Sequence, residues 1–393
     1  MSRLTNDIEQ RIIAAVDGLG DMLFDVSQEI HKNPELGGEE FRASALLCDR
    51  LRQHGFSVQQ GLYGMPTAFR AHKGTRPGPR VGFLAEYDAL PGLGHACGHN
   101  LIAAIGLGAA VALGEVIDEL GGEVVLFGTP AEETNGAKVI FCENGAFRDV
   151  DFAMMIHPGD RTTAQSNSLA MDAIEFAYEG KAAHAAASPH EGINALDAVI
   201  QLFNGINALR QHVKDEVRIH GIITEGGKAP NIVPDRAVAR FYVRAASRTY
   251  LDAVVGKVMR CAEGAALATG ARLSTRNFEL SFDNMVTNSI LANQLEQAWR
   301  DLGVERIMPA RPTMGSTDMG NVSHVVPSVH GYIQIVPEGI PAHTPEYCQA
   351  AGAPESREAI LLGAKSLALA ASRVMSDGAL LESIKREFQE AYK

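Results

Sequence analysis

Glu86-Tyr-Asp-Ala-Leu-Pro-Gly-Leu-Gly-His-Ala-Cys-Gly-His-Asn100 puts an Asp, a Cys and two His into fifteen residues, just after the apolar run Val81 to Leu84 and just before a long apolar helical pattern from Leu101. A buried strand, a chemistry-bearing loop and a buried helix in that order is the repeating unit of an α/β sheet. Cys97 and His99 are two apart. In an extended segment such residues point the same way, so a thiolate and an imidazole converge on one ion, and Gly98 leaves room for close approach. His95 lies on the same side by the same count, and spacing does not choose among the three. The plain alternative is a buried structural Cys beside helix-capping residues, since free Cys is among the most buried residue types.

The rest of the chain continues the alternation. Asn6 with Glu9 reads as a helix start, and Ile8, Ile12, Ile13, Val16, Leu19, Leu23 and Val26 keep helical spacing. A helix over Glu39 to His54 precedes strand-like stretches at Phe56 to Gln59, Thr67 to Ala71 and Arg80 to Tyr87. The helix from Leu101 stops at Gly121-Gly122. Strand Val124 to Thr129 runs into Pro130-Ala-Glu-Glu-Thr134, and a helix over Ala137 to Asn144 leads to strand Phe152 to Ile156, ending at His157-Pro158. Such alternation predicts a mostly parallel sheet covered on both faces. From Ser168 the order becomes strand (Leu169 to Gly180), helix (Asn194 to Val213), strands (Val217 to Thr224 and Arg236 to Arg244), helix (Tyr250 to Thr269) and strand (Arg272 to Phe282). That is a βαββαβ, ferredoxin-like unit of about 115 residues inserted into the first domain. The α/β pattern resumes with helix Ser289 to Leu302, strand His330 to Val336 and helix Glu355 to Ser372. The expected organisation is a catalytic domain in two parts, residues 1–168 and 285–393, around an inserted domain at 169–284.

Of 393 residues, 46% are hydrophobic and 21% charged, which describes an ordinary globular protein with ample core. With 47 acidic and 35 basic residues the formal charge is −12, a balance that disfavours nucleic acid and anionic membranes as partners. Five scattered cysteines, an odd number, are no disulfide framework and fit a reducing, cytoplasmic compartment. The N-terminal segment lacks a signal-peptide pattern, and the longest apolar run, Leu101 to Leu113, is shorter than the ~20 residues that span a bilayer.

Asp88, the Cys97/His99 pair, Glu132/Glu133, His157 and His343 each follow an expected strand of the parallel part. Ligands of open α/β sheets bind outside the carboxyl ends of the strands. Adjacent glutamates diverge in a turn, so one can bind metal while the other holds a water proton. A carboxylate beside a metal-bound water is the arrangement for metal-assisted hydrolysis. The alternative for an isolated Glu-Glu is a solvated helix start.

Thr129-Pro-Ala-Glu-Glu133, Asp88-Ala-Leu-Pro leading to His95-Ala-Cys-Gly-His99, Gly180-Lys-Ala-Ala-His184, Pro230-Asn-Ile-Val-Pro-Asp235 and Ala342-His343-Thr-Pro together resemble the M20 family of metallopeptidases and amidohydrolases, from about His31-Lys-Asn-Pro-Glu-Leu to His343. The similarity is to its aminoacylase-like branch. Cys97-Gly-His-Asn and Gly315-Ser-Thr-Asp-Met-Gly-Asn321 are similar to the aminobenzoyl-glutamate hydrolase and M20-domain-containing-2 dipeptidase group. The resemblance implies that Cys97, His99, Glu133, His157 and His343 bind two divalent transition metal ions, Zn or Mn first and Co or Ni next, with Glu132 as general base. It implies Asp88 as the group orienting a ligand imidazole, and His184 and Asn231 as residues holding the scissile carbonyl, often from a partner subunit. Arg244 is the candidate for the substrate carboxylate, with an ordinary surface ion pair as its alternative. Asn100 stands where the branch usually has Asp, one negative charge fewer near the metals. Ser316 to Asp318 either cap a helix or line the pocket, and His190, His212, His220, His324 and His330 receive no role.

The expected activity is hydrolysis of an N-acyl amino acid, an aminobenzoyl-glutamate-like compound or a dipeptide carrying a free carboxylate, in a homodimer formed through the inserted domain. The rivals are hydrolytic deamination of an aromatic amino acid on the same centre, a binding protein that would have lost a ligand or the base, and a thiol enzyme using Cys97.

Overall fold

The computed structural model describes residues 3–75, 77–311 and 315–391. These form two compact units: residues 3–167, 285–311 and 318–391 in one, and Ser168–Asn284 with Gly315–Thr317 in the other.

The first unit contains, in chain order, α1 (Arg3–Gly18), α2 (Gly20–Lys32), α3 (Phe41–Gln53), β1 (Ser57–Gln60), β2 (Phe69–Thr75), β3 (Arg80–Ala85), α4 (His99–Gly114), α5 (Ile117–Leu120), β4 (Gly122–Gly128), α6 (Ala137–Glu143) and β5 (Phe152–Gly159). The second unit interrupts it with β6 (Ala170–Glu179), α7 (Ala195–Leu209), β7 (Arg218–Glu225), β8 (Arg236–Ala245), α8 (Arg248–Thr269) and β9 (Arg272–Asn277). The first unit then closes with α9 (Ser289–Asp301), α10 (Met319–Ser323), β10 (Ser328–Gln334), α11 (Pro345–Gly352), α12 (Ser356–Ser376) and α13 (Gly378–Glu390).

The six-stranded sheet has the order β1-β2-β4-β3-β5-β10. β4, β3, β5 and β10 are mutually parallel, and β1 and β2 form an antiparallel edge. Alternate residues of one strand serve opposite layers, as the pleat requires. Val124 and Leu126 of β4 join the core with α4 and α12, while Val125 and Phe127 join a second core with Phe141, Phe147, Met319 and Val322. All of α4 is buried, so it is apolar all round and lies inside the unit. α12 is long and apolar enough to cross a membrane by composition, yet most of it is buried against α4 and α9.

Two local expectations change. The first helical pattern is two helices that break at Leu19, between Gly18 and Gly20, and the helix begins before Asn6. β9 ends at Asn277, because Glu279 leaves the ladder to accept from the Tyr242 hydroxyl at 2.5 Å, and pairing resumes only at Phe282 with Met171.

The second unit is a four-stranded antiparallel sheet in the order β7-β8-β6-β9, with α7 and α8 on one face over Phe176, Tyr178, Phe241 and Val243. Asn194 and Ser247 cap those helices by accepting from Leu196, Asp197 and Tyr250 backbone N–H groups.

Candidate metal centre

Because β4, β3, β5 and β10 are parallel neighbours, their carboxyl ends share one edge, and the loops leaving that edge converge. One donor atom each from Cys97, His99 and His157 lie within 4.8 Å of one another, and the same holds for Cys97, Glu133 and His343 and for His99, Glu132 and Glu133. Cys97 belongs to two of these sets. Its convergence with His99 has a different cause from strand alternation: Gly98 is left-handed (φ 78°) and caps α4, so the turn into the helix swings His99 back beside Cys97. A Cβ at Gly98 would collide with Pro158 Cγ, which excludes any other residue without a shift.

The donors fit a cation. His99 Nδ1 lies 2.9 Å from the Asp88 carbonyl oxygen and 3.0 Å from Asp88 Oδ1, both acceptors, so Nδ1 carries the proton and donates. Its Nε2 lone pair is buried without a hydrogen-bond partner and faces Glu86 Oε2 at 3.6 Å and Glu133 Oε1 at 4.0 Å. His157 Nδ1 likewise donates to the Pro158 carbonyl at 2.6 Å, leaving Nε2 3.6 Å from Cys97 Sγ. Lone pairs and anions facing one another with no proton between them are the arrangement that a positive ion satisfies. Without one, burial pushes the Cys97 thiol up, and burial followed by repulsion from His99 pushes His157 down to about 4.

Asp88 ties the two halves together: Oδ1 accepts from His99, and Oδ2 accepts from the Glu133 backbone N–H at 2.9 Å. Burial would raise Glu133, but the hydrogen bond and charge of His343, 3.0 Å away, with His99, hold it below the usual carboxylate range. Burial and the carboxylates of Glu86 and Asp318 push Glu132 the other way. Among the described residues only Tyr63, Ala131 and His343 are non-glycines with positive φ, and two of the three belong to this site (Ala131 59°, His343 66°). Each such residue costs about 1–3 kcal/mol, a strain that surrounding structure must hold.

In the second unit, the loops carrying His184 and Asn231 lie side by side: His184 bridges to Ile232, and Ala185 N–H donates to the Asn231 carbonyl at 3.0 Å. His184 Nδ1 accepts from the Ala186 and Ala187 N–H groups at 3.3 and 3.2 Å, so its proton resides on Nε2, on an exposed residue. Arg244 sits at the other end of the sheet. Glu179, beside the His184 loop, pairs with Arg236, whereas Arg244 pairs with Met171. From Arg236 to Arg244 the strand spans about 26 Å at ~3.3 Å per residue. One copy of this unit therefore cannot place both His184 and Arg244 on the same small molecule.

A profile of peptidase family M20/M25/M40 matches residues 68–372. The chain is 38% identical over 398 residues to the mouse Xaa-Arg dipeptidase, covering 97% of this chain and 92% of that one. This chain belongs to peptidase family M20/M25/M40. It is a metallo-amidohydrolase of that family. One of the two polypeptides of the Escherichia coli p-aminobenzoyl-glutamate hydrolase is 28% identical over 442 residues, covering 93% of this chain and 92% of that one. A solved Bacillus subtilis protein, YXEP, described as a dinuclear metal binding peptidase from the M20 family, shares the fold with a TM-score of 0.70 at 21% identity, covering 91% of this chain and 99% of that one.

Several residues of this M20 chain escaped the sequence reading. Lys138 is fully buried on α6, and its ammonium pairs with Glu86 and, at 2.6 Å, with Asp318. Asp318 caps α6 rather than its own helix, accepting from the Lys138 N–H at 3.0 Å. The available signal was a lone lysine in the apolar pattern Ala137-Lys-Val-Ile-Phe-Cys. Glu86, Glu132 and Asp318 form a further acidic set beside the metal donors, with Lys138 as its built-in counter-charge. Lys138→Met should cost about 3–5 kcal/mol, because it strands two buried carboxylates, and urea unfolding would measure it.

His95 is buried with both ring nitrogens unpartnered, its ring 6.1 Å from that of His31, and it belongs to none of the donor sets. The Asn100 amide donates to Ser27 Oγ and the Ala351 carbonyl, both at 2.9 Å, tying α4 to α2 and α11 in a way that an ionised Asp could not. His330 packs against the His157 ring at 5.8 Å.

Proposed function

We propose that the chain cleaves an amide or peptide bond next to a free carboxylate, releasing an amino acid, with Cys97, His99, Glu133, His157 and His343 holding two divalent transition metal ions. What carries this reading is the pair of donor sets that share Cys97, beside the carboxylate of Glu132. A thiolate with imidazoles is a soft to borderline donor set, suited to Zn, Mn, Co or Ni rather than Mg or Ca. When bound, such ions supply Lewis acidity and lower the pKa of a water from 15.7 towards about 7.

Glu132 takes a proton from the attacking water and passes it to the amide nitrogen, so that the C–N bond breaks to give a carboxylate and an amine. Asp88 keeps the His99 proton on Nδ1 and the Glu133 backbone in place. His184 donates Nε2–H to the carbonyl oxygen, Asn231 supports it, and Arg244 grips the substrate carboxylate with two parallel hydrogen bonds. The separation of His184 from Arg244 supports a site completed by two copies of the chain. β7 is an edge strand with Ile222 and Ile223 exposed, a physical means for homodimerisation. Five free thiols support a reducing, cytoplasmic setting.

The names of the relatives favour dipeptides with a C-terminal Arg, with aminobenzoyl-glutamate next. Purified protein should release the free amino acid from one of these, lose activity on chelation and regain it with Zn, Mn, Co or Ni. Full activity after exhaustive chelation, with no transition metal detected, would overturn the reading. Release of ammonia from an aromatic amino acid without amide cleavage would favour the deaminase.

A further inference from the structure

Glu40 is fully buried at the start of α3, in the segment that follows Pro34-Glu-Leu-Gly-Gly. Its carboxylate accepts three hydrogen bonds: Oε1 from the Gly38 N–H at 2.9 Å and the Ala131 N–H at 2.8 Å, and Oε2 from the Thr67 hydroxyl at 2.8 Å. Ala131 is the left-handed residue that immediately precedes Glu132 and Glu133. Its carbonyl in turn accepts from the N–H groups of Thr134, Asn135 and Gly136 at 3.3, 3.0 and 2.8 Å, closing a tight knuckle around the two glutamates. The same segment packs on that knuckle through Gly37, where a Cβ would collide with Thr134 Oγ1 and meet Ala131 Cα at 3.0 Å.

An alanine leaves the left-handed region unless something holds it there, and without that turn Glu132 and Glu133 would not diverge towards different partners. We propose that Glu40 is a positioning residue for the reaction, holding the Ala131 N–H so that the turn aims Glu132 at the proton and Glu133 at the metal. The proposal rests on the metallo-hydrolase reading above.

The test is a double-variant cycle read in two ways: metal affinity of the stripped protein by competition with a chelating dye, and kcat and KM of the loaded enzyme. Glu40→Ala should weaken metal binding and lower kcat by about 10- to 100-fold each, the range for groups supporting a metal ligand, with KM moved less than about threefold. Adding Ala131→Gly should recover at least half of each loss on a logarithmic scale, because glycine takes the left-handed turn without a brace. Glu40→Gln, which keeps an acceptor oxygen, should lose clearly less than Glu40→Ala. Should Glu40→Ala fail to fold, Glu40→Asp keeps the charge but withdraws the acceptor, and the same cycle applies to it. Metal affinity and kcat within about twofold of wild type, or no recovery with Ala131→Gly, overturns the proposal. A wild-type protein that neither binds metal nor hydrolyses amides would instead overturn the functional reading.

Discussion

Glu132→Gln protein should keep its metal while kcat falls by about 100- to 10,000-fold, the range that general acid-base catalysis usually supplies. The amide has the shape of the carboxylate but cannot take the proton. Glu132 neighbours Glu86 and Asp318 as well as the donor set of His99 and Glu133, so its loss leaves the Cys97-centred sets complete. Glu133→Gln exchanges an anionic donor in one of those sets for a neutral one. Metal affinity should then drop, and excess metal should restore part of the rate. Metal analysis beside steady-state kinetics separates the two variants before any rate is compared. Loss of metal from Glu132→Gln with retention by Glu133→Gln would reverse the roles, and full activity in both would remove metal-assisted hydrolysis from consideration.

His184→Ala should lower kcat by about 100- to 1000-fold with bound metal unchanged, the effect of removing one donor to a developing oxyanion. The orientation of the ring supports this: two backbone N–H groups occupy Nδ1, so Nε2–H is the free donor. If the histidine acts across a dimer, mixing inactive His184→Ala with inactive Glu132→Gln protein should regain part of the activity, since hybrid dimers contain one site with both groups intact. No recovery in a dimer shown to exchange subunits would rule out donation between chains.

The alternation of buried strands and helices, with ligand-type residues after each strand, was enough to derive a parallel sheet and a shared edge from sequence, because pleat and helix periodicities are local. The same locality made Cys97, His99, Glu132, Glu133, His157 and His343 stand out as a set, and the βαββαβ order announced the second unit. Contacts between elements distant in the chain were not legible. Glu40 reaches Ala131 across 91 positions, and Lys138 reaches Asp318 across 180. A Glu at a helix start and a Lys in an apolar helix look ordinary until tertiary structure buries them against a partner. The reason Cys97 and His99 converge also lay outside periodicity, since only the packing of Pro158 against Gly98 reveals a left-handed turn in place of an extended segment. The sequence by itself thus determined which residues meet at the sheet edge, because strand order and polarity follow from local pattern; only the tertiary structure decided how their backbones are held and that His184 and Arg244 lie at opposite ends of one sheet, because those depend on long-range pairing and register.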